Sequence, residues 1–340
     1  MPAGASHPRG GAVVKVLLWH VHGSWTNAFV RGEHDYLLPV LPDRGPDGRG
    51  RARTWDWPAT VREVIPAQLG DEAPDIVVLQ REHEAELLHR WTGMRAGRDV
   101  PAIYLEHNTP TGHAVTSRHP VTSHPLLQGL PLVHVTRFNA MAWDCPGARM
   151  TVIEHGVVDP GERYTGEHAS IAVVINEPVR RTRVAGTDVA LDLARSTPLH
   201  VYGIDSHLLA DAAHAPGPPL PPDHCHELPQ EELHATLAGH RAYLHPYRWT
   251  SLGLALIEAM TLGMPVLALS TTEAPDAVPP KAGLVSNDLE ALRAMASRWL
   301  ADPAEALARG DTARRYALTR YGLRRFLDDW ERMLQEVGSA

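Results

Sequence analysis

The sequence predicts an α/β protein made of two Rossmann-like domains facing each other across a cleft, and three observations carry that expectation. Apolar, β-branched runs bounded by turns recur through the first half with helical patterns between them, the signature of a parallel sheet with crossover helices. A polar stretch bearing Gly and Pro, residues 154–170, breaks the alternation, which then begins again. Within the second series, residues 243–268 read YLHPYRWTSLGLALIEAMTLGMPVLA: a strand, a short polar loop, an amphipathic helix and another strand, which together make a βαβ unit.

In chain order, strands are expected at residues 13–19, 75–79, 102–105, 132–135 and 151–153, with helices at 61–69 and 84–91. The second series predicts strands at 171–175, 199–202, 242–245 and 266–269, a helix at 187–194, and helices at 288–300 and 303–316. The last pattern, 321–337, is amphipathic, with Phe326, Trp330 and Leu334 four residues apart. Periodicity alone leaves it either a surface helix of the second domain or one that crosses back to the first. The expected organisation is a disordered 1–12, a first domain over 13–155, a linker at 156–170, a second domain over 171–318 and a crossover helix at 319–340.

At 340 residues the chain is long enough for two cores. A net charge of −8 argues against a nucleic-acid partner, which needs a basic face. Two cysteines, Cys145 and Cys225, make no disulfide framework and suit a reducing cytoplasm. No signal peptide and no membrane-length apolar run is read, so stable membrane insertion is not expected. Residues 44–53, with Trp55 and Trp57, mix basic and aromatic side chains, but Asp43, Asp47 and Asp56 dilute them. A solvated, mobile loop is expected there.

The chemistry concentrates at strand ends. Ser251-Leu252-Gly253 opens the helix of the βαβ unit, where unpaired backbone N–H groups and the helix dipole favour an anion. Glu258 follows one to two turns in, placed for ribose hydroxyls. Arg180, Arg181 and Arg183 follow a strand end at Asn176-Glu177-Pro178 and offer guanidinium groups to a diphosphate, with Arg180 the strongest candidate. The alternative is a solvated turn pairing with Glu177. His107 closes a first-half strand in YLEHNTP, and His20-Val21-His22-Gly23-Ser24-Trp25 follows the first strand. There Gly23 permits close backbone approach, and His22 and Trp25 offer a stacking face. Residues 108–128 are too long for an ordinary connection and are expected to form a lid over an acceptor. Asp223-His224-Cys225-His226-Glu227 holds metal-ligand types, but adjacent residues cannot all point at one ion, so no metal site is expected. Asp-x-Asp, Gly-x-Gly-x-x-Gly and Walker patterns are missing from the places where they would act.

His245-Pro246, Thr250-Ser251-Leu252-Gly253-Leu254, Glu258-Ala259-Met260 and Gly263-Met264-Pro265-Val266 keep a fixed spacing over more than twenty residues. That set resembles the donor-site signature of retaining glycosyltransferases of the GT-B fold, family 4 (glycosyl transferases group 1). One departure stands out: the first Glu of that family's E-x7-E pair falls on Thr250, whereas the second is Glu258. Val152-Ile153-Glu154-His155-Gly156-Val157 similarly resembles the family's Val-Ile-Pro-Asn-Gly-Val hinge, with Pro-Asn replaced by Glu-His.

The resemblance implies a nucleotide-sugar donor held by Glu258, Thr250, Ser251, Leu252, Gly253 and Leu254. Diphosphate charge would fall to Arg180 and Arg181. His107 would touch the transferred sugar, and a small-molecule or saccharide acceptor would enter near Gly23, His22 and Trp25. It implies no metal and no further cofactor, and a final helix that caps the first domain. Two competing expectations accompany it: a same-fold nucleotide-sugar epimerase or hydrolase, and a non-catalytic nucleotide-sugar-binding subunit, which the missing Glu at Thr250 motivates.

Overall fold

The computed structural model describes residues 12–339; the expectation of a disordered 1–12 lies, apart from its last residue, outside them. Seven strands form the first sheet: β1 (Lys15–Leu18), β2 (Asp35–Pro39), β3 (Val61–Val64), β4 (Ile76–Leu79), β5 (Ala102–Glu106), β6 (Leu132–His134) and β7 (Met150–Val152). Their spatial order is β3-β2-β1-β4-β5-β6-β7, with every pair parallel. The second sheet has β8 (His168–Val174), β9 (Leu199–Tyr202), β10 (Cys225–His226), β11 (His240–His245), β12 (Val266–Ala268) and β13 (Gly283–Val285). Its order is β10-β9-β8-β11-β12-β13, again all parallel. In both sheets the winding reverses beside the first strand. Such switch points open a crevice at the carboxyl ends of the strands.

Helices cover both faces of each sheet. In the first half they are α1 (Gly23–Phe29), α2 (Pro66–Glu72), α3 (Glu84–Thr92) and α4 (Arg137–Ala142). In the second they are α5 (Pro178–Ala185), α6 (Thr187–Ala194), α7 (Gln230–Leu237), α8 (Leu254–Leu262), α9 (Ala274–Ala277), α10 (Leu289–Ala301), α11 (Pro303–Tyr321) and α12 (Leu323–Gly338). Asp288 caps α10, its Oδ1 accepting from the Glu290 and Ala291 N–H groups at 3.0 and 3.3 Å. Among the described residues no helix is long and apolar enough to cross a membrane.

The last helix returns to the first sheet. Phe326, Trp330, Met333, Leu334 and Val337 are buried in the same cluster as Val16, Leu18, Trp25 and Phe29. Gly156 lies against Phe326 so closely that a Cβ would collide with the ring. The amphipathic stripe read in the sequence therefore belongs to the crossover.

Three local expectations are corrected. Residues 61–69 are not one helix: Val61–Val64 is an edge strand with both valines buried, and Pro66 starts a separate helix while Ile65 stays extended (φ −73°, ψ 149°). Strand β2, not anticipated, lies between β1 and β3 with Tyr36, Leu37 and Leu38 buried. Residues 44–53 are not a loose loop. Arg44 grips Glu63 with two hydrogen bonds of 2.8 and 3.0 Å, and Arg51 donates to the Trp57 and Pro58 carbonyls at 2.7 and 3.0 Å. Trp57 is buried and donates to Asn27 Oδ1 at 3.1 Å.

Candidate functional site

The carboxyl ends of the two sheets converge on a cavity of about 810 Å³. The first sheet supplies the turn after β1, with His22 and Gly23, and the end of β5, with His107. The second supplies Arg180 and Arg181 after β8, the loop from Thr250 to Gly253 after β11, and Leu254 and Glu258 on α8. Of the residues singled out in the sequence, Trp25, Arg183 and His20 do not line the cavity. Trp25 lies in the core. It is fully buried, stacked on Phe29 at 4.7 Å and edge-on to Trp330 at 5.6 Å, because the crossover helix encloses it. It is a wall behind His107, whose ring it meets at 5.2 Å, not an open stacking face.

The loop between β11 and α8 is held from both sides. Arg248 binds Asp188 on α6 with two hydrogen bonds of 2.6 and 2.9 Å, and Trp249 Nε1 reaches across the cleft to the Pro110 carbonyl at 2.9 Å. Within it, the N–H groups of Ser251, Leu252 and Gly253 have no protein acceptor among the described residues. Gly253 is required by close approach, since a Cβ there would fall 2.9 Å from the ring of His245 below. Burial pushes His245 down to about 3, so an uncharged ring supports the loop. One turn further, the buried carboxylate of Glu258 faces His234 Nε2 at 3.5 Å. A smaller cavity of about 260 Å³ shares Ser24, Gln230 and Glu258 with the main one.

The arginines sit on a short helix, α5, not on an open turn. Arg180 is tied to Glu177 through Nε at 2.7 Å and through Nη2, as the structural alternative had it, although it still lines the cavity. Arg183 pairs with Asp188 at 3.2 Å and does not line it. Arg181 has no carboxylate partner among the described residues, and its guanidinium lies over the Tyr247 ring, 5.4 Å from the centroid. Of the two arginines that line the cavity, Arg180 is thus paired with a carboxylate and Arg181 is not.

His107 is buried, and its Nε2 stands 3.0 Å from Gln80 Oε1. Gln80 donates its own amide to the Trp19 carbonyl at 2.7 Å. The network assigns the proton to His107 Nε2 and leaves Nδ1 as an acceptor. Its ring lies 4.0 Å from that of His22 and 6.2 Å from that of His155. Burial, assisted by neighbouring Arg49 and Arg81, pushes His22 down to about 4. His155 falls to about 3 through burial first, then His22 and Arg325, and burial holds His107 well below the ordinary histidine range. Three uncharged imidazoles thus wall one end. His155 was read only as part of a hinge; its sole sequence signal was the exchange of Asn for His. His20 turns away, its Nδ1–H donating to the Gly50 carbonyl at 3.0 Å. Asn176 and Glu227, at the ends of β8 and β10, also line the cavity and were not foreseen as site residues.

The segment 108–128 is not a free lid throughout. His119, Val121 and Leu127 are buried, and His119 meets the buried Glu106 at 3.1 Å, so only its first part borders the cleft. In 223–227, His226 bonds to His200 at 3.2 Å, and Glu227 approaches Asp205 and His207 instead. These acidic and imidazole groups lie largely at the surface and carry no argument for an ion.

The sequence model for "Glycosyl transferases group 1" matches residues 195–302. No curated protein matches the chain significantly. Among solved structures, sucrose-phosphate synthase from Thermosynechococcus elongatus superposes with a TM-score of 0.68 at 14% identity, covering 96% of this chain and 99% of that one. Anabaena HepE in complex with UDP gives a TM-score of 0.68 at 12% identity, over 95% of this chain and 100% of that one. A glycosyltransferase from Rickettsia africae gives 0.60 at 14% identity, over 96% and 98%. At such identities the likeness shows the fold, that of the GT-B glycosyltransferases, from end to end.

Proposed function

We propose that this chain is a retaining, metal-independent glycosyltransferase of family 4, acting in the cytoplasm on a nucleotide-diphosphate sugar and a hydroxyl of a small-molecule or saccharide acceptor. One observation carries the reading. Arg181, the unpaired N–H groups of Ser251–Gly253 and the buried Glu258 line one wall of a single cavity, and His107 lines the opposite wall. Ribose hydroxyls bind Glu258. The diphosphate lies between Arg181, seconded by Arg180, and the mouth of α8, so no metal is needed to neutralise it. The acceptor enters past Gly23 and His22. Its hydroxyl attacks the anomeric carbon from the face the diphosphate leaves, and its proton passes to the departing phosphate oxygen. Stabilising that leaving group is the largest catalytic contribution; one lost donor costs about 10²–10³ in rate.

Thermal shift against nucleoside diphosphates, with and without EDTA, tests the donor site. A midpoint raised by one diphosphate and unmoved by chelator supports it, and Glu258→Ala should abolish that rise. Retention of the rise in Glu258→Ala overturns the ribose assignment. The exchange at Thr250 favours a second reading, a nucleotide-sugar-binding subunit without transfer. Tight donor binding with neither transfer nor hydrolysis across an acceptor panel would select it.

A further inference from the structure

We infer that the end of the cavity walled by His22, His107 and His155 binds an anionic oxygen group, a carboxylate or phosphate, carried either by the transferred sugar or by the acceptor. The inference deepens the glycosyltransferase reading and rests on it for the identity of the two substrates. Four observations carry it.

First, ring nitrogens are free there. Neither His22 nor His155 bonds a protein group through its ring among the described residues, and His155 is 3% exposed with Nδ1 unpartnered. Buried polar groups left without partners in a cavity wall indicate a ligand that supplies them. Second, no carboxylate opposes an anion at this end. The acidic residues that line the cavity, Glu227 and Glu258, both come from the second sheet's side.

Third, guanidinium groups stand beside His22 and His155. Arg49 and Arg81 face His22, and Arg325, which donates to the Glu154 and His155 carbonyls, stands behind His155. Arg81 is matched by Asp47 and Glu84, and Arg325 by Asp329 at 2.7 Å, so the unmatched positive charge is that of Arg49, which donates to the Val21 carbonyl and has no carboxylate partner among the described residues. The contacts of His107 are Gln80, Trp25 and the other two imidazoles, none of them charged. Fourth, burial holds the rings uncharged without a ligand, so this end of the cavity, unlike the end with Arg180 and Arg181, carries no fixed charge on its lining side chains. An anion entering among them favours the protonated imidazole, so binding should draw in a proton.

The test is calorimetric titration at pH 7 in two non-phosphate buffers of different ionisation enthalpy, which counts protons taken up. In the donor arm, UDP-glucuronate is compared with UDP-glucose, and GDP-mannuronate with GDP-mannose. In the acceptor arm, glucose 6-phosphate is compared with glucose, with and without nucleoside diphosphate. In one arm the anionic ligand should bind at least tenfold tighter than its neutral partner, take up protons, and weaken as pH rises from 6 to 8. His155→Gln, which keeps hydrogen-bonding capacity but cannot take a proton, should erase that advantage and leave nucleoside diphosphate affinity unchanged. Equal affinity for charged and neutral ligands in both arms, or no proton uptake, overturns the inference. If no nucleoside diphosphate binds, the glycosyltransferase reading falls instead, and glucose 6-phosphate alone still decides the anion site.

Discussion

His234 Nε2 stands 3.5 Å from Glu258 Oε2, both side chains buried, and Gln230 Nε2 lies 2.8 Å from the same ring nitrogen. Gln230 can only donate to that nitrogen, so His234 Nε2 accepts there, and its ring backs the carboxylate that the proposed function gives to the ribose by packing from α7 and not as its donor. His234→Ala should leave Glu258 loosely held and raise the donor KM about 5- to 30-fold, equivalent to about 1–2 kcal/mol of lost packing behind the carboxylate, with kcat nearly unchanged. Initial rates over a donor series check it; a fall in kcat with constant KM would remove His234 from the donor site.

Arg180 and Arg181 are neighbours with different commitments. Arg180 is paired with Glu177 and mostly exposed, whereas Arg181 rests on Tyr247 and has no carboxylate partner among the described residues. Arg181→Ala should therefore lower kcat about 10²–10³-fold, as expected for losing a leaving-group donor. Arg180→Ala should cost less than about tenfold, because an exposed, already paired guanidinium contributes little. Single-turnover rates on both variants make the comparison, and equal losses would refute the distinction.

The second-sheet wall of the cavity is legible in the sequence because its signals are local. Two apolar strands, a small-residue loop and Gly263 fix a βαβ unit within one stretch of chain, and Glu258 follows by spacing. What escaped was set by distant contacts. Trp25 reads as an available aromatic until Phe326 and Trp330, from the far end of the chain, close over it. His155 lies in a segment with no periodicity, so nothing in its surroundings announced that it faces His107 across the floor of the cavity. The segment 61–64 shows valines three apart, which helix and edge strand share, and the proline ending Asp35–Pro39 hid a strand that has neighbours on both sides.

Acid should destabilise the second sheet through its histidines. Ser170 Oγ and Tyr202 Oη lie 2.7 Å from the two nitrogens of His240, which burial pushes down to about 3, and His200, also lowered by burial to about 4, bonds to His226 at 3.2 Å. Folded values below the unfolded value of about 6.5 mean that the unfolded chain binds more protons between them. Stability is complete above about 6.5 and falls as pH drops toward 3–4, by up to about 1.4 kcal/mol per pH unit for a ring as enclosed as His240. Urea midpoints from pH 7.5 to 4.5 measure the slope. His240→Gln should flatten it, and an unchanged slope would assign the loss to other groups.

The crossover helix makes the strongest stability prediction. Trp330 is 1% exposed, its ring 5.0 Å from Phe29 and 5.6 Å from Trp25, so the last helix completes the core of the first sheet. Trp330→Ala should cost about 3–5 kcal/mol, the usual loss for emptying such a site. The effect should also reach the cavity, because Trp25 is the wall against which His107 is set. A milder Trp330→Phe separates the two consequences. It keeps most of the buried volume, so the urea midpoint should recover by more than half, while any residual loss of activity would report on the position of His107. If Trp330→Ala unfolds with a midpoint near that of the parent, the helix contributes little to the core, and its packing on the first sheet cannot be what holds that half together.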